Sequence, residues 1–361
     1  MALTESVDVG PSPVVELASG VDALYLSGRA ELSAALFEAL DERRAAAAEA
    51  EAPVPIVLAD EEFGVEPRAF GRYKYRLVHR HGLVGVTSSE KLPTLRVQPR
   101  AEFLHAVGPS AVLDFFDRVG EFLAGGPVQW GLSRLDLFCD VQGWTLTGDD
   151  RHRFVCRGQA RATHEVGEAF TGFEFGKRSS KTLCARIYDK THQVERKGLD
   201  WWPKVWGERY DTKRPVLRVE FEIGRQGLKE FGVATPTQGL DAAARLWASA
   251  SEDWLSYRSP AADSTKSRWP VSPQWTAVQS VSLRSDAVGL DRVRSGRRQG
   301  ELRRMVPATV GYLATIGAIV GTPDARSTLA AMAQLISDDE HRRKVPFDDR
   351  VAERVAARTY Q

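Results

Sequence analysis

The stretch Arg134-Leu-Asp-Leu-Phe-Cys-Asp140 alternates polar and apolar side chains. On an extended strand successive side chains point to opposite faces, so Arg134, Asp136, Phe138 and Asp140 share one face. Three apolar side chains take the other face. This alternation is typical of an antiparallel strand that packs one face against a core. The stretch therefore predicts a sheet with one mainly apolar and one mainly charged surface.

Two later stretches show the same alternation, Ala185-Arg-Ile-Tyr-Asp-Lys190 and Leu217-Arg-Val-Glu-Phe-Glu-Ile223. Their polar faces carry Arg186, Tyr188 and Lys190 in the first stretch, and Arg218, Glu220 and Glu222 in the second. If the three strands are neighbours, these side chains share one sheet surface with Asp136 and Asp140.

The order strand, helix, several strands, helix occurs twice, over residues 21–123 and 130–255. We therefore predict an α+β fold of pseudo-duplicated antiparallel sheets with flanking helices. The predicted elements include a strand over Glu102–Val107 and helices over Gly148–Arg161 and Leu240–Leu255.

The character of the chain changes after Tyr257. Residues 259–273 are rich in Ser, Pro and Ala, which is typical of a linker or an exposed loop. Helical patterns dominate the remainder. We predict one domain over 14–258 and a mainly helical C-terminal module over 259–361.

Composition places the 361-residue chain among ordinary globular proteins, with 43% apolar and 27% charged residues. Its net charge of +1 hides an uneven distribution. Residues 1–62 hold three basic and thirteen acidic side chains, a balance of −10, so the other residues sum to +11. A basic body favours a polyanionic partner such as nucleic acid, although unevenly placed surface charge gives the same pattern.

The three cysteines form no CxxC pair and lie far apart. They favour a reducing compartment over a disulfide framework, and we expect a cytoplasmic protein. No secretory signal is expected, because the first residues show no basic start followed by an apolar stretch. No membrane span is expected, because the longest uncharged run, Met305–Pro323, is interrupted by glycines and prolines.

The shared polar face suggests a specific chemistry. Carboxylates are the ligands that Mg²⁺ and Mn²⁺ prefer, so the four acids predict a metal site. The phenol of Tyr188, flanked by Arg186 and Lys190, is a candidate nucleophile toward a phosphodiester, which the two cations would also contact. The alternative is the solvated side of an antiparallel sheet, which for any one strand is the commoner case.

The segment Phe173–Lys190, with Arg134–Leu137 before it and Leu217–Glu222 after it, resembles the replication initiators of Gram-positive rolling-circle plasmids and certain filamentous phages. That family shows a Gly-Ser-Arg-Xaa-Ser-like turn, a strand ending in Arg-Ile-Tyr-Asp/Glu-Lys and a later Arg-Xaa-Glu strand. The resemblance covers residues 20–256 and is most specific over 172–190.

The resemblance implies a topoisomerase-like nicking-closing enzyme that joins a tyrosine to the 5′ phosphate and leaves a 3′-hydroxyl primer. It implies that Tyr188 is the nucleophile, that Asp136 and Glu220 hold Mg²⁺ or Mn²⁺, and that Arg186 and Lys190 are the basic positions of the motif. Strand parity adds Asp140 and Glu222 to the metal set by our own inference.

DNA contacts are predicted in three further places. The basic turn Lys177, Arg178 and Ser179 is placed to hold phosphate, together with Arg218 on the polar face. Trp201 and Trp202 lie among cations and either stack unpaired bases or pack onto the sheet. Arg297 and Arg298 belong to a basic cluster that either contacts phosphates or is a solvated helix start.

We expect the partners to be DNA of a replication origin, single-stranded or cruciform, a host helicase, and a second copy of the chain in a homodimer. No membrane partner is expected. Two other functions stay open: a non-catalytic, sequence-specific DNA-binding regulator of a plasmid or phage needs neither Tyr188 nor the acids, and a hydrolytic metal-dependent nuclease needs the acids but not the phenol.

Overall fold

Antiparallel pairing dominates the structure, a computed structural model that describes residues 13–281, 283, 306 and 309–352. Within residues 13–281, eleven strands form one antiparallel sheet and two short strands form a separate pair. The strands are β1 (Val15–Arg29), β2 (Val54–Leu58), β3 (Glu61–Glu66), β4 (Tyr75–His79), β5 (Gly82–Val86), β6 (Leu95–Pro99), β7 (Gln129–Gln142), β8 (Phe154–Cys156), β9 (Arg161–Val166), β10 (Ala169–Phe175), β11 (Leu183–Asp189), β12 (Leu217–Gly224) and β13 (Leu255–Tyr257).

Helices flank the sheet and make up most of the described C-terminal region. They are α1 (Ala34–Ala50), α2 (Ala101–Ala124), α3 (Lys190–Lys197), α4 (Trp202–Trp206), α5 (Arg225–Glu230), α6 (Pro236–Asp241), α7 (Ala243–Ala248), α8 (Pro273–Gln279), α9 (residues 309–320), α10 (Ala325–Arg343) and α11 (residues 347–352). Helix α2 is kinked at Gly108, whose φ of 81° is in the left-handed region.

The strand order of the large sheet is β2-β3-β4-β5-β6-β1-β7-β12-β11-β10-β9. Each half of the chain starts with a long central strand, β1 or β7. The last strand of that half, β6 or β12, returns to pair with it. The halves meet where β1 pairs with β7, and both half-sheets are followed by helices. The predicted α+β fold with duplicated antiparallel sheets is confirmed, and the two sheets are one continuous surface.

The core lies on the apolar face that strand alternation predicted. Leu135, Leu137, Val219 and Phe221 are fully buried there. Trp247 of α7 packs edge-on against Phe221 and helps to cover this face. The polar surface of the same strands is therefore the surface left for chemistry.

Three predicted elements are wrong. Residues 102–107 belong to helix α2, in which Leu104 and Gly108 are buried one turn apart. Residues 148–161 form a 3-10 turn, strand β8 and the start of β9. The predicted helix 240–255 is divided among the end of α6, α7 and a π-helical turn. Strand β8 depends on pairing with β13, about a hundred residues later, which local patterns do not reveal.

The predicted domain boundary at residue 259 is too early. Trp275 and Val278 of α8 are fully buried in the core of the preceding residues. The indole of Trp247 donates to the Val278 carbonyl at 3.0 Å, and the indole of Trp275 donates to the Ser251 carbonyl at 2.8 Å. The exposed segment 259–270 is therefore a loop within this body, and the helical C-terminal region follows it.

Candidate active site

Strands β7, β12 and β11 are neighbours in the sheet, as the candidate site requires. Their register sets the polar side chains side by side in cross-strand rows. The rows are Tyr188, Arg218 and Asp140; Arg186, Glu220 and Phe138; and Cys184, Glu222 and Asp136. Because paired residues point to the same face, the predicted acids, cations and phenol share one surface.

Tyr188 is half-buried in this surface and makes a directed contact to an acid. Its hydroxyl donates to Oε2 of Glu220 at 3.0 Å, while the other oxygen of Glu220 accepts from the Arg186 guanidinium. Burial and the negative charge of Glu220 raise the pKa of Tyr188 well above its ordinary value. The phenol is therefore neutral, and Glu220 is the acceptor placed to take its proton.

Asp136 and Glu222 are held by arginines. Arg134 donates to Asp136 from Nε at 2.7 Å and from a second nitrogen, and it also lies 2.9 Å from Glu222. Arg178 donates to Glu222 at 2.8 Å. Burial and the nearby charge of Glu220 raise the pKa of Asp136 to about 7, although the hydrogen bond from Arg134 acts in the opposite direction.

The predicted Mg²⁺ or Mn²⁺ ion does not fit the side chains as they are arranged. Each of the four candidate ligands, Asp136, Asp140, Glu220 and Glu222, is ion-paired with an arginine. Among the residues that the structure describes, no group of three or more His, Cys, Asp or Glu side chains could hold a metal ion. The metal remains a prediction, and the reaction proposed below has no step through it.

Replacing Arg134 with glutamine is expected to strengthen Mn²⁺ binding to the isolated protein by about tenfold or more, equivalent to about 1.4 kcal/mol or more. The substitution removes the cation that lies against both Asp136 and Glu222. Electron paramagnetic resonance titration of free Mn²⁺ measures the affinity. Arg153→Gln, at an ion pair outside this surface, is the control. Equal affinities of wild type and Arg134→Gln would show that Arg134 does not exclude the ion.

Asp140 and Arg218 form an internal ion pair, which corrects two of the predicted roles. Arg218 is fully buried and donates to Asp140 from Nε at 2.6 Å and from a second nitrogen at 2.8 Å. The indole of Trp206 donates to Asp140 at 2.8 Å. Both oxygens of Asp140 are thus occupied by buried donors, and the fully buried Arg218 guanidinium does not reach the surface.

Asp22 and His105 complete this ion pair and were not predicted from the sequence. Asp22 lies in a register irregularity of β1 and accepts from Arg218 at 2.7 Å. Its other neighbour is Nε2 of His105, at 3.4 Å. Burial alone would raise the pKa of Asp22, but Arg218 and His105 outweigh it and hold that pKa well below the ordinary value. The sequence signal for this site was Asp22 itself, an acid within the mainly apolar residues 17–26 of β1.

Lys190, at the start of α3, lies behind Tyr188 and not at the surface. It is buried, donates to Gln193 at 2.8 Å and lies 4.3 Å from the Trp202 ring centroid and 5.9 Å from that of Tyr188. Burial and the positive charge of Arg218 lower the pKa of Lys190 to about 7. The predicted phosphate contact by Lys190 is therefore wrong, because its ammonium group is buried over the ring of Trp202.

The predicted stacking of bases on Trp201 and Trp202 is also wrong. Both side chains are buried, Trp202 with only 1% of its surface exposed. They stack on each other with ring centroids 4.5 Å apart, and Trp202 packs edge-on against Phe138. The packing alternative holds, because α4 covers the Asp140 end of the polar surface with indoles.

The basic turn between β10 and β11 is at the open side of the site. Lys177, Arg178 and Ser179 are exposed, and Arg178 reaches inward to Glu222 while 45% of its side chain stays exposed. These three residues remain candidates for phosphate contacts. The predicted contacts by Arg297 and Arg298 lie outside the described residues.

Gly172 pairs with Tyr188 across the β10–β11 ladder and permits their close approach. A Cβ atom on Gly172 would lie 2.4 Å from the Ile187 carbonyl oxygen and 2.7 Å from Tyr188 Cβ. Gly172→Ala is expected to lower the free energy of unfolding by about 1–3 kcal/mol in urea titrations. Gly126→Ala is the control, because no atom lies within 4 Å of its added Cβ. Equal losses in the two variants would contradict this account of Gly172.

Comparisons with known proteins found similarity among solved structures alone. No protein-family model and no curated protein matches the chain. Among solved structures, the chain is similar to the rolling circle replication initiator protein from Geobacillus stearothermophilus. The two share 15% sequence identity with a TM-score of 0.48, over 74% of this chain and 99% of that one.

None of the helices within the described residues has the length and apolar character needed to span a bilayer.

Proposed function

We propose that this chain is a DNA-nicking enzyme that starts replication by a tyrosine attack on one strand. The hydrogen bond from Tyr188 to Glu220, at 3.0 Å on a surface rich in guanidinium groups, is the observation that carries this proposal. A tyrosine that only packs in a core can satisfy its hydroxyl with any polar partner. The Tyr188 hydroxyl instead donates to the Glu220 carboxylate, which also accepts from Arg186. That arrangement orients a nucleophile and provides its base.

The reaction begins with the loss of the phenolic proton. Glu220 takes the proton as the Tyr188 oxygen bonds to phosphorus, and the bond from phosphorus to the 3′-oxygen breaks. The departing 3′-oxygen takes up a proton from a second donor, and the products are a 5′-phosphotyrosine and a 3′-hydroxyl that primes synthesis. The reverse reaction closes the strand, because the phosphotyrosine bond conserves the energy of the phosphodiester.

Cations beside Tyr188 suit an anionic substrate. The Arg186 guanidinium lies against Glu220, and 26% of its side chain is exposed toward the open side of the site. Arg178 and Lys177 add positive charge at the exposed edge. These groups would hold the phosphates on either side of the scissile bond.

We also propose a form of the DNA substrate, the partners and the cellular location of the reaction. The substrate is origin DNA in single-stranded or cruciform form, since a half-buried phenol requires a strand that can enter the site. A host helicase is the partner that unwinds from the nick. A homodimer and a cytoplasmic location belong to the same proposal.

A covalent adduct that survives denaturant tests this function. The purified protein is incubated with single strands labelled at the 3′ end, made from the DNA that flanks its gene, with Mn²⁺ or with EDTA, and is then separated under denaturing conditions. We expect a labelled band at the mass of the protein plus DNA. Cutting without that band would indicate a hydrolase, and DNA binding without cutting would indicate a regulator; either result contradicts the proposal.

A further inference from the structure

A histidine lies on the same surface as Tyr188, one strand beyond Gly172. His164 of β9 pairs with Gly172 of β10, and Gly172 in turn pairs with Tyr188 of β11. Paired residues point to the same face, so His164 and Tyr188 flank a position that has no side chain. The sequence does not reveal this juxtaposition, because it depends on the β9–β10 register.

The spacing of the strands sets the scale of the separation between His164 and Tyr188. Adjacent strands are about 4.8 Å apart, so the Cα atoms of His164 and Tyr188 are separated by about 10 Å. An in-line attack places the nucleophile about 3–3.5 Å from phosphorus. The bond from phosphorus to the leaving oxygen and a hydrogen bond of about 2.8 Å from that oxygen to its proton donor add to this distance. The proton donor must therefore lie about 8 Å from the nucleophile.

The imidazole of His164 is open to a ligand and has an acidic neighbour. Its side chain is 55% exposed, and Nε2 lies 3.9 Å from Oε2 of Glu174. Glu174 is itself paired in register with Arg186. A carboxylate at this distance can orient the imidazole and leaves its other face open to a ligand.

We propose that His164 is the general acid of the nicking reaction, a role that rests on the proposed function. As the Tyr188 oxygen bonds to phosphorus, the bond from phosphorus to O3′ breaks and its electron pair goes to O3′. The protonated imidazole of His164 gives its proton to that oxygen, while Glu220 holds the proton from the phenol. In strand closure neutral His164 takes the proton back from the 3′-hydroxyl, and Glu220 returns the other to Tyr188.

A sulfur leaving group separates a general acid from a residue that only supports structure. The strand captured in the adduct experiment is synthesised in two forms. One has its natural 3′-oxygen at the scissile phosphate, and the other has sulfur in place of that bridging 3′-oxygen. A thiol has a pKa of about 8.5, far below that of an alcohol, so its anion leaves without protonation. Loss of the general acid should therefore slow cleavage of the oxygen substrate alone.

His164→Ala is expected to slow adduct formation with the oxygen substrate by about 10²-fold or more, the usual contribution of a general acid. With the sulfur substrate the rate should stay within about threefold of wild type. Glu165→Ala is the matched control, because its side chain leaves the opposite face of the same exposed strand. Equal slowing of both substrates, or no slowing of the oxygen substrate, would overturn the role of His164.

The same assay tests the proposed nicking function separately from the role of His164. A Tyr188-dependent adduct that His164→Ala leaves unchanged would remove His164 and keep the function. An adduct that persists in Tyr188→Phe, or its absence with wild type, would overturn both. Urea unfolding of each variant establishes that it is folded.

Discussion

Tyr188→Phe is expected to abolish the covalent adduct and leave the fold intact. The substitution removes one oxygen, which is the nucleophile and the donor to Glu220. No other group of the surface can form the bond at that position, so we expect a loss of at least about 10³-fold. The rate of adduct formation under denaturing electrophoresis is the measurement.

Tyr25→Phe is the matched control for that variant. Tyr25 is a partly buried phenol on the same face of the sheet, with the Arg134 guanidinium 4.9 Å from its ring centroid. It is therefore a comparable tyrosine on the same surface, and its loss should leave the adduct within about twofold of wild type, as for a position outside the chemistry. Loss of the adduct in Tyr25→Phe, with retention in Tyr188→Phe, would move the nucleophile to β1.

Arg218→Ala is expected to lower the free energy of unfolding by about 3–5 kcal/mol. The guanidinium is fully buried and bonded to Asp140 and Asp22. Its removal would leave two carboxylates short of their cation in a desolvated site and would open a cavity against Phe138 and Trp202. Urea titration at constant protein concentration is the measurement.

Arg178→Ala is the control for the buried ion pair. Arg178 also bonds to a carboxylate, Glu222, but about half of its side chain is exposed. An exposed pair contributes about 0–1 kcal/mol, so this variant should unfold close to wild type. If Arg218→Ala unfolded within about 1 kcal/mol of wild type, the ion pair with Asp140 would not stabilise the fold as described.

The alternation of residues in three strands predicted the fold and the surface. Side chains along a strand alternate between the two faces of the sheet. Once the strands are neighbours, the sequence alone therefore places Tyr188, Glu220 and Asp136 on one face. The apolar face of the same strands predicted the core. Strand pairs distant in sequence, such as β8 with β13, were not predictable because their partner is invisible to a local pattern.

The roles of individual charges were harder to predict than their positions. Arg186 and Arg218 lie on the same face of adjacent strands. Arg186 borders the open site, whereas Arg218 is buried under Trp202 and Trp206. The difference arises from α4, which covers only one end of the surface. Whether a carboxylate binds a metal or a guanidinium likewise depends on which arginine reaches it, and residue type alone does not determine that.

The most direct test of the central claim is to map the DNA-linked peptide. Trypsin cleaves after Arg186 and Lys190, so the adduct should yield the four-residue peptide 187–190 with nucleotides attached. After nuclease trimming, tandem mass spectrometry is expected to place the phosphodiester on Tyr188. A nucleotide attached to any other residue, or a nicked strand with no modified peptide, would contradict the assignment of Tyr188 as the nucleophile.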